Sequence, residues 1–189
     1  MNNEKKTPVR LRKECTVVVV IDLQERLIPA MREGEKVRAQ AAKLVQGAEL
    51  LGVPVLTTQQ YTKGLGETVE DVKAAYAEFS YIEKSAFSAM ADEGFADALK
   101  ESGRGTVLLC GVEAHVCVLQ TALDMLEQGY AVLLVTDAIS SRKEMDEAPA
   151  VKRMIHAGVV PTTVESALFE LLDNDSKSDV FKGISKLIK

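Results

Sequence analysis

GTVLLCGVEAHVCVLQTALDMLEQGYAVLLVTDA, residues Gly105 to Ala138, decides the fold. An apolar run from Thr106 to Cys110, a turn at Gly111, a periodic segment from about His115 to Gln128, a stop at Gly129 and a second apolar run from Ala131 to Val135 read as strand, helix, strand. Two same-direction strands need a long crossover, so the unit predicts a parallel sheet. Cys117 falls where the turn hands over to the first helical turn. Free N–H groups and the positive end of the helix dipole favour a thiolate there, which predicts a thiol reactive well below its ordinary pKa. Parallel sheets also keep their ligands at the carboxyl ends of their strands.

Outward from this unit the same alternation repeats. Thr16 to Ile21, TVVVVI, is a β-branched run suited to a strand covered on both faces, with Asp22 at its carboxyl end. Glu35 to Leu51 is an amphipathic helix stopped by Gly52, Val53 to Thr58 a second strand, and the polar loop QQYTKGLGETVEDV leads to a short helical stretch reaching Ala77. Phe79 to Glu83 alternates like a strand and ends in Lys84. Gly94 to Ser102 is a helix, Thr136 to Arg142 a loop at the rim, Asp146 to His156 a helix and Val159 to Val164 a sixth strand. Glu165 to Asp173 and Asp179 to Ile188 are terminal helices. The sum is one doubly wound α/β domain of about six mainly parallel strands with helices on both faces. It covers residues 15–189, behind a polar tail at 1–14.

With 189 residues and 47% hydrophobic content the chain fills a real core. Its net charge of −5, with signs interspersed, argues against a nucleic-acid surface. Three cysteines describe no disulfide framework, and neither a signal peptide nor a membrane-length apolar span is visible, so a cytoplasmic location without a membrane partner is expected. No GxGxxG follows a strand and no GxxxxGK[ST] occurs, so Gly64 and Gly66 support no nucleotide site.

Asp22, Lys84 and Cys117 each stand at or just past the end of a different predicted strand, and strand ends share one rim. A thiol is mostly protonated at neutral pH. A carboxylate can take its proton while an ammonium holds the thiolate. Taken singly, each residue has a plainer reading: Asp22 caps a turn, Lys84 snorkels to the surface.

The segments VVVVIDLQERL (17–27), QQYTKGLGETV (59–69), EKSAFSAM (83–90), LLCGVEAHVCVLQTALDMLEQGY (108–130) and TDAISSR (136–142) occur in the order found in the isochorismatase-like cysteine hydrolases. The chain resembles that family, especially its isochorismatase domain-containing subgroup, over most of its length. The resemblance implies a Rossmann-like three-layer sandwich and an Asp22, Lys84, Cys117 catalytic triad: base, electrostatic partner and nucleophile. It also implies a cis peptide between Val112 and Glu113, and an oxyanion hole from the backbone N–H groups of Glu113 and Cys117. The implied chemistry is hydrolysis of a small amide or imide through an acyl-enzyme. True isochorismatases, which cleave an enol ether, lack this cysteine. Nicotinamidase members carry an Asp-x-His metal motif where this chain has Gln59-Gln60-Tyr61-Thr62, so no catalytic metal and no cofactor are expected. Relatives commonly assemble, which implies a homo-oligomer, a dimer or higher. Phe169, Phe181, Ile184 and Leu187 serve either an interface or their own subunit.

Gln24, Leu27, Gln59, Tyr61, Phe87 and Val112 flank the triad positions and are candidate substrate-pocket walls. For Leu27, Phe87 and Val112 a core role is equally open. Cys110 reads as core and Cys15 as inert; His115 reads as an exposed polar residue ahead of a proton donor, and His156 as a favourable charge at a helix end. The competing reading to a hydrolase is a catalytically silent binding or scaffold protein of the same fold. A redox protein would want a second cysteine within reach, and a nuclease finds no support in the charge balance.

Overall fold

The computed structural model describes residues 10–173 and 175–189. Residues 1–9 of the expected tail lie outside the described residues. The tail reading fails at Leu11, which is buried in the core with its N–H donated to Glu170 Oε1 at 2.8 Å. One apolar residue among charges carries too little periodicity to announce itself.

In chain order the elements are β1 Thr16–Ile21, α1 Gly34–Leu51, β2 Val55–Gln60, the short turns α2 Thr62–Leu65 and α3 Glu70–Lys73, β3 Ile82–Lys84, α4 Glu93–Glu101 and β4 Thr106–Val112. A π-helical turn, Ala114–Val118, then runs into α5 Leu119–Glu127, followed by β5 Ala131–Ser140, α6 Glu144–Ala157, β6 Val160–Thr162, α7 Val164–Leu172 and α8 Asp179–Ile188. The six strands form one sheet in the order β3-β2-β1-β4-β5-β6, every neighbouring pair parallel. The order reverses between β1 and β4. A doubly wound sheet opens its ligand crevice there, outside the carboxyl ends of the strands.

β1 shows why the sheet is covered twice. All six of its residues are buried: Val18 and Val20 join one core with α1, α7 and α8, while Val17, Val19 and Ile21 join the other with α4, α5 and α6. Side chains alternate across a strand, so an unbroken apolar run demands a layer on each face. On the first layer α1 buries Val37, Ala41, Leu44, Val45 and Ala48, and it ends at Gly52 in the left-handed region. On the second, Phe95, Leu99, Met125 and Met154 fill the core. Among the carboxyl-terminal apolar residues Ile184 is fully buried, Phe181 and Leu187 are partly buried against the first core, and Phe169 is exposed.

Two boundaries differ from the sequence reading in ways that matter for the site. β2 runs two residues further than expected, so Gln59 and Gln60 belong to the strand and not to a loop. β5 continues through the expected rim loop to Ser140, with its register against β4 shifting between Leu109 and Gly111. Polar Thr136 and Asp137 fit this irregular stretch because Thr136 donates to the Thr162 carbonyl and Asp137 accepts from the Val164 N–H.

Gly111 sits at the strand end that leads to the π-helical turn, with φ 120 and the carbonyl oxygen of Ile21 only 2.1 Å from where a Cβ would be. Gly111→Ala is therefore expected to destabilise the fold by about 3 kcal/mol or more, from a strained φ and a clash with fixed backbone. Gly105→Ala, with open space around the added carbon, should stay within about 0.5 kcal/mol of the native protein. Urea unfolding of both variants checks the contrast.

Candidate active site

Asp22 follows β1 immediately, in the left-handed region at φ 52, its N–H donated to the Thr58 carbonyl at the end of β2. Its side chain is fully buried. Oδ1 accepts from Thr58 Oγ1 and Oδ2 from Lys84 Nζ, each at 2.7 Å. Lys84 ends β3, which lies two strands from β1, so the gap of about 10 Å between the two strand ends is bridged by the lysine and aspartate side chains together. On the way its ammonium donates to Gln60 Oε1 at 2.7 Å and faces the carbonyls of Ala86 and Phe87 at 3.2 Å each. Lys84 is 2% exposed and snorkels nowhere.

A buried ion pair survives only when its remaining protons and lone pairs are satisfied, because its desolvation cost is several kcal/mol per ion. That condition is met here: among the described residues no buried side-chain nitrogen or oxygen lacks a partner.

Cys117 reaches this pair from the other side of the chain reversal, on the π-helical turn after β4. The Glu113 carbonyl accepts from both Val116 and Val118, and the Ala114 carbonyl from Leu119. The wider turn re-aims the side chains it carries, as π-bulges at functional sites do. The Val112–Glu113 peptide is cis. Cys117 is 7% exposed, and burial, with the Asp22 carboxylate adding to it, pushes the thiol up to about 12 against the lowering effect of Lys84. Desolvation and the neighbouring anion thus act against the thiolate that the helix terminus was expected to favour.

The segment that follows Lys84 is fastened to α5. Ser88 Oγ donates to Asp124, and the Ala89 N–H donates to Thr121 Oγ1 at 2.9 Å, one turn beyond Cys117. Ammonium and thiol are thus held to each other through backbone as well as charge.

The expected pocket walls divide. Tyr61 and Phe87 stand exposed at the rim, 57% and 56%, Tyr61 with its N–H on the Lys84 carbonyl. Leu27 is half-buried against the first core. Gln24, Gln59 and Val112 are fully buried and line no opening. Gln24 spends its amide on the Gln60 backbone and the Gly66 carbonyl; Gln59 is tied to Glu67, Thr68 and Thr62; Val112 faces the first core. Proximity in sequence to a site residue does not say which face of a strand a neighbour occupies.

His115 is not a free surface residue: its Nδ1 lies 2.9 Å from Ser141 Oγ. The Glu113 carboxylate holds Arg142 through its backbone N–H and Nε, both at 3.1 Å to Oε2. Cys110 is buried in a strand, its thiol raised to about 12 by desolvation, and Cys15 is exposed. His156 sits at the carboxyl end of α6 before Gly158. Among the described residues no group of three or more His, Cys, Asp or Glu side chains comes together as a metal-ligand set, and no helix is long and apolar enough to cross a membrane. Sequence reasoning missed Thr58 and Gln60. The signal was there: the two are two residues apart, hence on one face of a strand that passes beside Asp22.

Comparison with known proteins places this geometry. The isochorismatase domain matches residues 16–166. Isochorismatase domain-containing protein 1 of Salmo salar is 40% identical over 92% of this chain, which spans 61% of that protein. The MAR1 ribonuclease structure from Caenorhabditis elegans superposes with a TM-score of 0.88 at 38% identity, covering 95% of this chain and 92% of that one. The YcaC gene product of Escherichia coli, an octameric hydrolase of unknown specificity, superposes at 0.90 with 30% identity, covering 97% and 91%.

With its thiol at about 12, Cys117 should be alkylated by iodoacetamide at neutral pH about a hundredfold more slowly than exposed Cys15, the loss of thiolate being partly offset by its greater intrinsic nucleophilicity. Asp22→Asn removes the anion that raises the thiol and leaves Lys84 in place, so it should speed Cys117 modification by about tenfold. Peptide mass spectrometry over a pH series reads both. Lys84→Met strands the buried carboxylate and is expected to cost about 3–5 kcal/mol in urea unfolding.

Proposed function

The chain belongs to the isochorismatase domain family, and from that premise we propose that it is a metal-free cysteine hydrolase that cleaves the C–N bond of a small amide- or imide-type substrate through an acyl-enzyme on Cys117. The observation that carries this reading is the buried Asp22–Lys84 ion pair beside a buried, protonated thiol. A scaffold has no use for that costly arrangement.

Burial and the Asp22 anion disfavour a free thiolate, so in this reading proton removal accompanies attack. As the sulfur bonds to the carbonyl carbon, Asp22 takes the S–H proton and the C=O electron pair moves onto oxygen. The backbone N–H groups of Glu113 and Cys117 hold the resulting oxyanion. Collapse re-forms the carbonyl, breaks the C–N bond and returns the proton from Asp22 to the departing nitrogen, which leaves as ammonia or an amine. Water then attacks the thioester, giving a proton to Asp22. The C–S bond breaks, the acid departs and the sulfur recovers the proton. Lys84 has its ammonium fully engaged and acts by charge, keeping an anionic base in a dry site.

Tyr61 and Phe87 are the pocket walls in this reading, since both are exposed at the rim and tied through backbone to Lys84. Assembly into a homo-oligomer belongs to it as well, in keeping with the octameric relative from Escherichia coli. Nuclease activity, the property carried by the name of the Caenorhabditis elegans relative, is the alternative. A net charge of −5 and a site cation buried at 2% exposure favour a small acyl substrate over a polyanion.

Screening small amides for ammonia or amine release tests the proposal. Cys117→Ala should abolish turnover, and acid-quenched native protein should carry the acyl mass on the Cys117 peptide. Asp22→Asn is the sharper variant: its thiol is the more easily ionised, yet hydrolysis should drop by roughly 10²–10⁴ because no group remains to return a proton to the leaving nitrogen. Native protein that degrades RNA in a Cys117-dependent manner and releases nothing from any amide would overturn the acyl-transfer reading.

A further inference from the structure

We infer that Gln60 is the positioning residue for Lys84 and that its neutrality sets the net charge felt by Cys117; the inference rests on the hydrolase reading only where turnover is measured. Two of the three ammonium protons of Lys84 make short bonds, to Asp22 Oδ2 and Gln60 Oε1, both at 2.7 Å. The carbonyls of Ala86 and Phe87, each at 3.2 Å, are left to share the third. Gln60 is therefore as tight a partner of the site cation as the catalytic carboxylate is. Gln60 and Lys84 are also register partners at the ends of β2 and β3, so the contact is built into the sheet.

The amide is held in a single sense. Its Nε2 donates to the Ser85 carbonyl at 2.8 Å, which leaves Oε1 for the lysine. The backbone of Gln60 is clamped by buried Gln24, which accepts from its N–H at 2.8 Å and donates to its carbonyl at 3.0 Å. An oxygen acceptor toward Lys84 and a donor toward Ser85 are both required, and an amide supplies them without charge. A carboxylate in the same place would pair the lysine twice and leave the site one negative charge in excess, pushing the thiol up further.

A protonated carboxyl, however, has the amide's hydrogen-bonding pattern: its carbonyl faces Lys84 and its O–H faces Ser85. Gln60→Glu is thus a switchable mimic, native-like while protonated and obstructive once ionised. The ionisable group it bonds is Lys84 on β3, and through Lys84 it acts on Asp22 after β1 and Cys117 on the π-helical turn. The nearby carboxylates have other engagements: Glu67 with Gln59, Glu83 with the Thr62 N–H, and Glu25 against Gly66.

The test is the rate of Cys117 modification by methyl methanethiosulfonate, read by peptide mass spectrometry from about pH 3 to pH 9, for native, Gln60→Glu and Gln60→Met proteins, each as a ratio to native. Expected for Gln60→Glu is a ratio near one at the acid end that drops by about tenfold or more as the new carboxyl ionises. Gln60→Met, which has no acceptor and no charge, should show a ratio displaced by a constant factor across the range. Flat ratios near one for both variants would overturn the inference. Equal, pH-independent losses in both would also overturn it, by reducing Gln60 to a packing role. Turnover is followed in parallel: absence of amide hydrolysis in the native protein removes the hydrolase reading, while the modification ratios still decide what Gln60 does.

Discussion

A carboxylate and an ammonium, both without solvent contact and 2.7 Å apart, impose the strictest condition in this molecule. Charges are held away from water only if each remaining proton and lone pair finds a partner of fixed position. The partners come from three adjacent strand ends: Thr58 and Gln60 on β2, the Ala86 and Phe87 carbonyls beyond β3, and Asp22 itself past β1. The register of those strands is therefore part of the site. A slip of one residue would send Gln60 or Lys84 to the opposite face and leave a buried charge without its counterpart.

The thiol then inherits its behaviour from that pair. Burial raises it, the anion raises it, and the cation lowers it without cancelling the other two. The result is a buried thiol next to a carboxylate and an ammonium that pull its titration in opposite directions. The fastenings between the segment after Lys84 and α5, through Ser88 with Asp124 and Ala89 with Thr121, keep the thiol in step with the ion pair.

Much of the architecture was legible from pattern. β1 and α8 occupy the spans read from periodicity, Thr16–Ile21 and Asp179–Ile188, and the strand, turn, helix, strand reading of the central unit holds, with a π-helical turn entering the helix. Asp22, Lys84 and Cys117 could be assigned to one rim because strand ends in a parallel sheet share it, and the structure brings their side chains together. Of the expected pocket walls Tyr61 and Phe87 stand exposed at the rim, whereas Gln24, Gln59 and Val112, as near in sequence, turn into buried networks or the core. Gln60 was passed over because two glutamines before a tyrosine look like loop, when β2 in fact runs through them, paired to β3.

By itself the sequence determined which segments alternate as strand and helix, that the sheet is parallel and covered on both faces, and which titratable residues stand at its carboxyl edge. Those properties follow from local periodicity and from the short reach of turns, so they are written in neighbouring residues. Only the tertiary structure decided that the thiol is buried beside the Asp22 anion, that Lys84 is buried, and that Gln60 shares its ammonium with Asp22. Desolvation and charge act through space between residues 22, 60, 84 and 117, and nothing in the order of the chain records how much water is left between them.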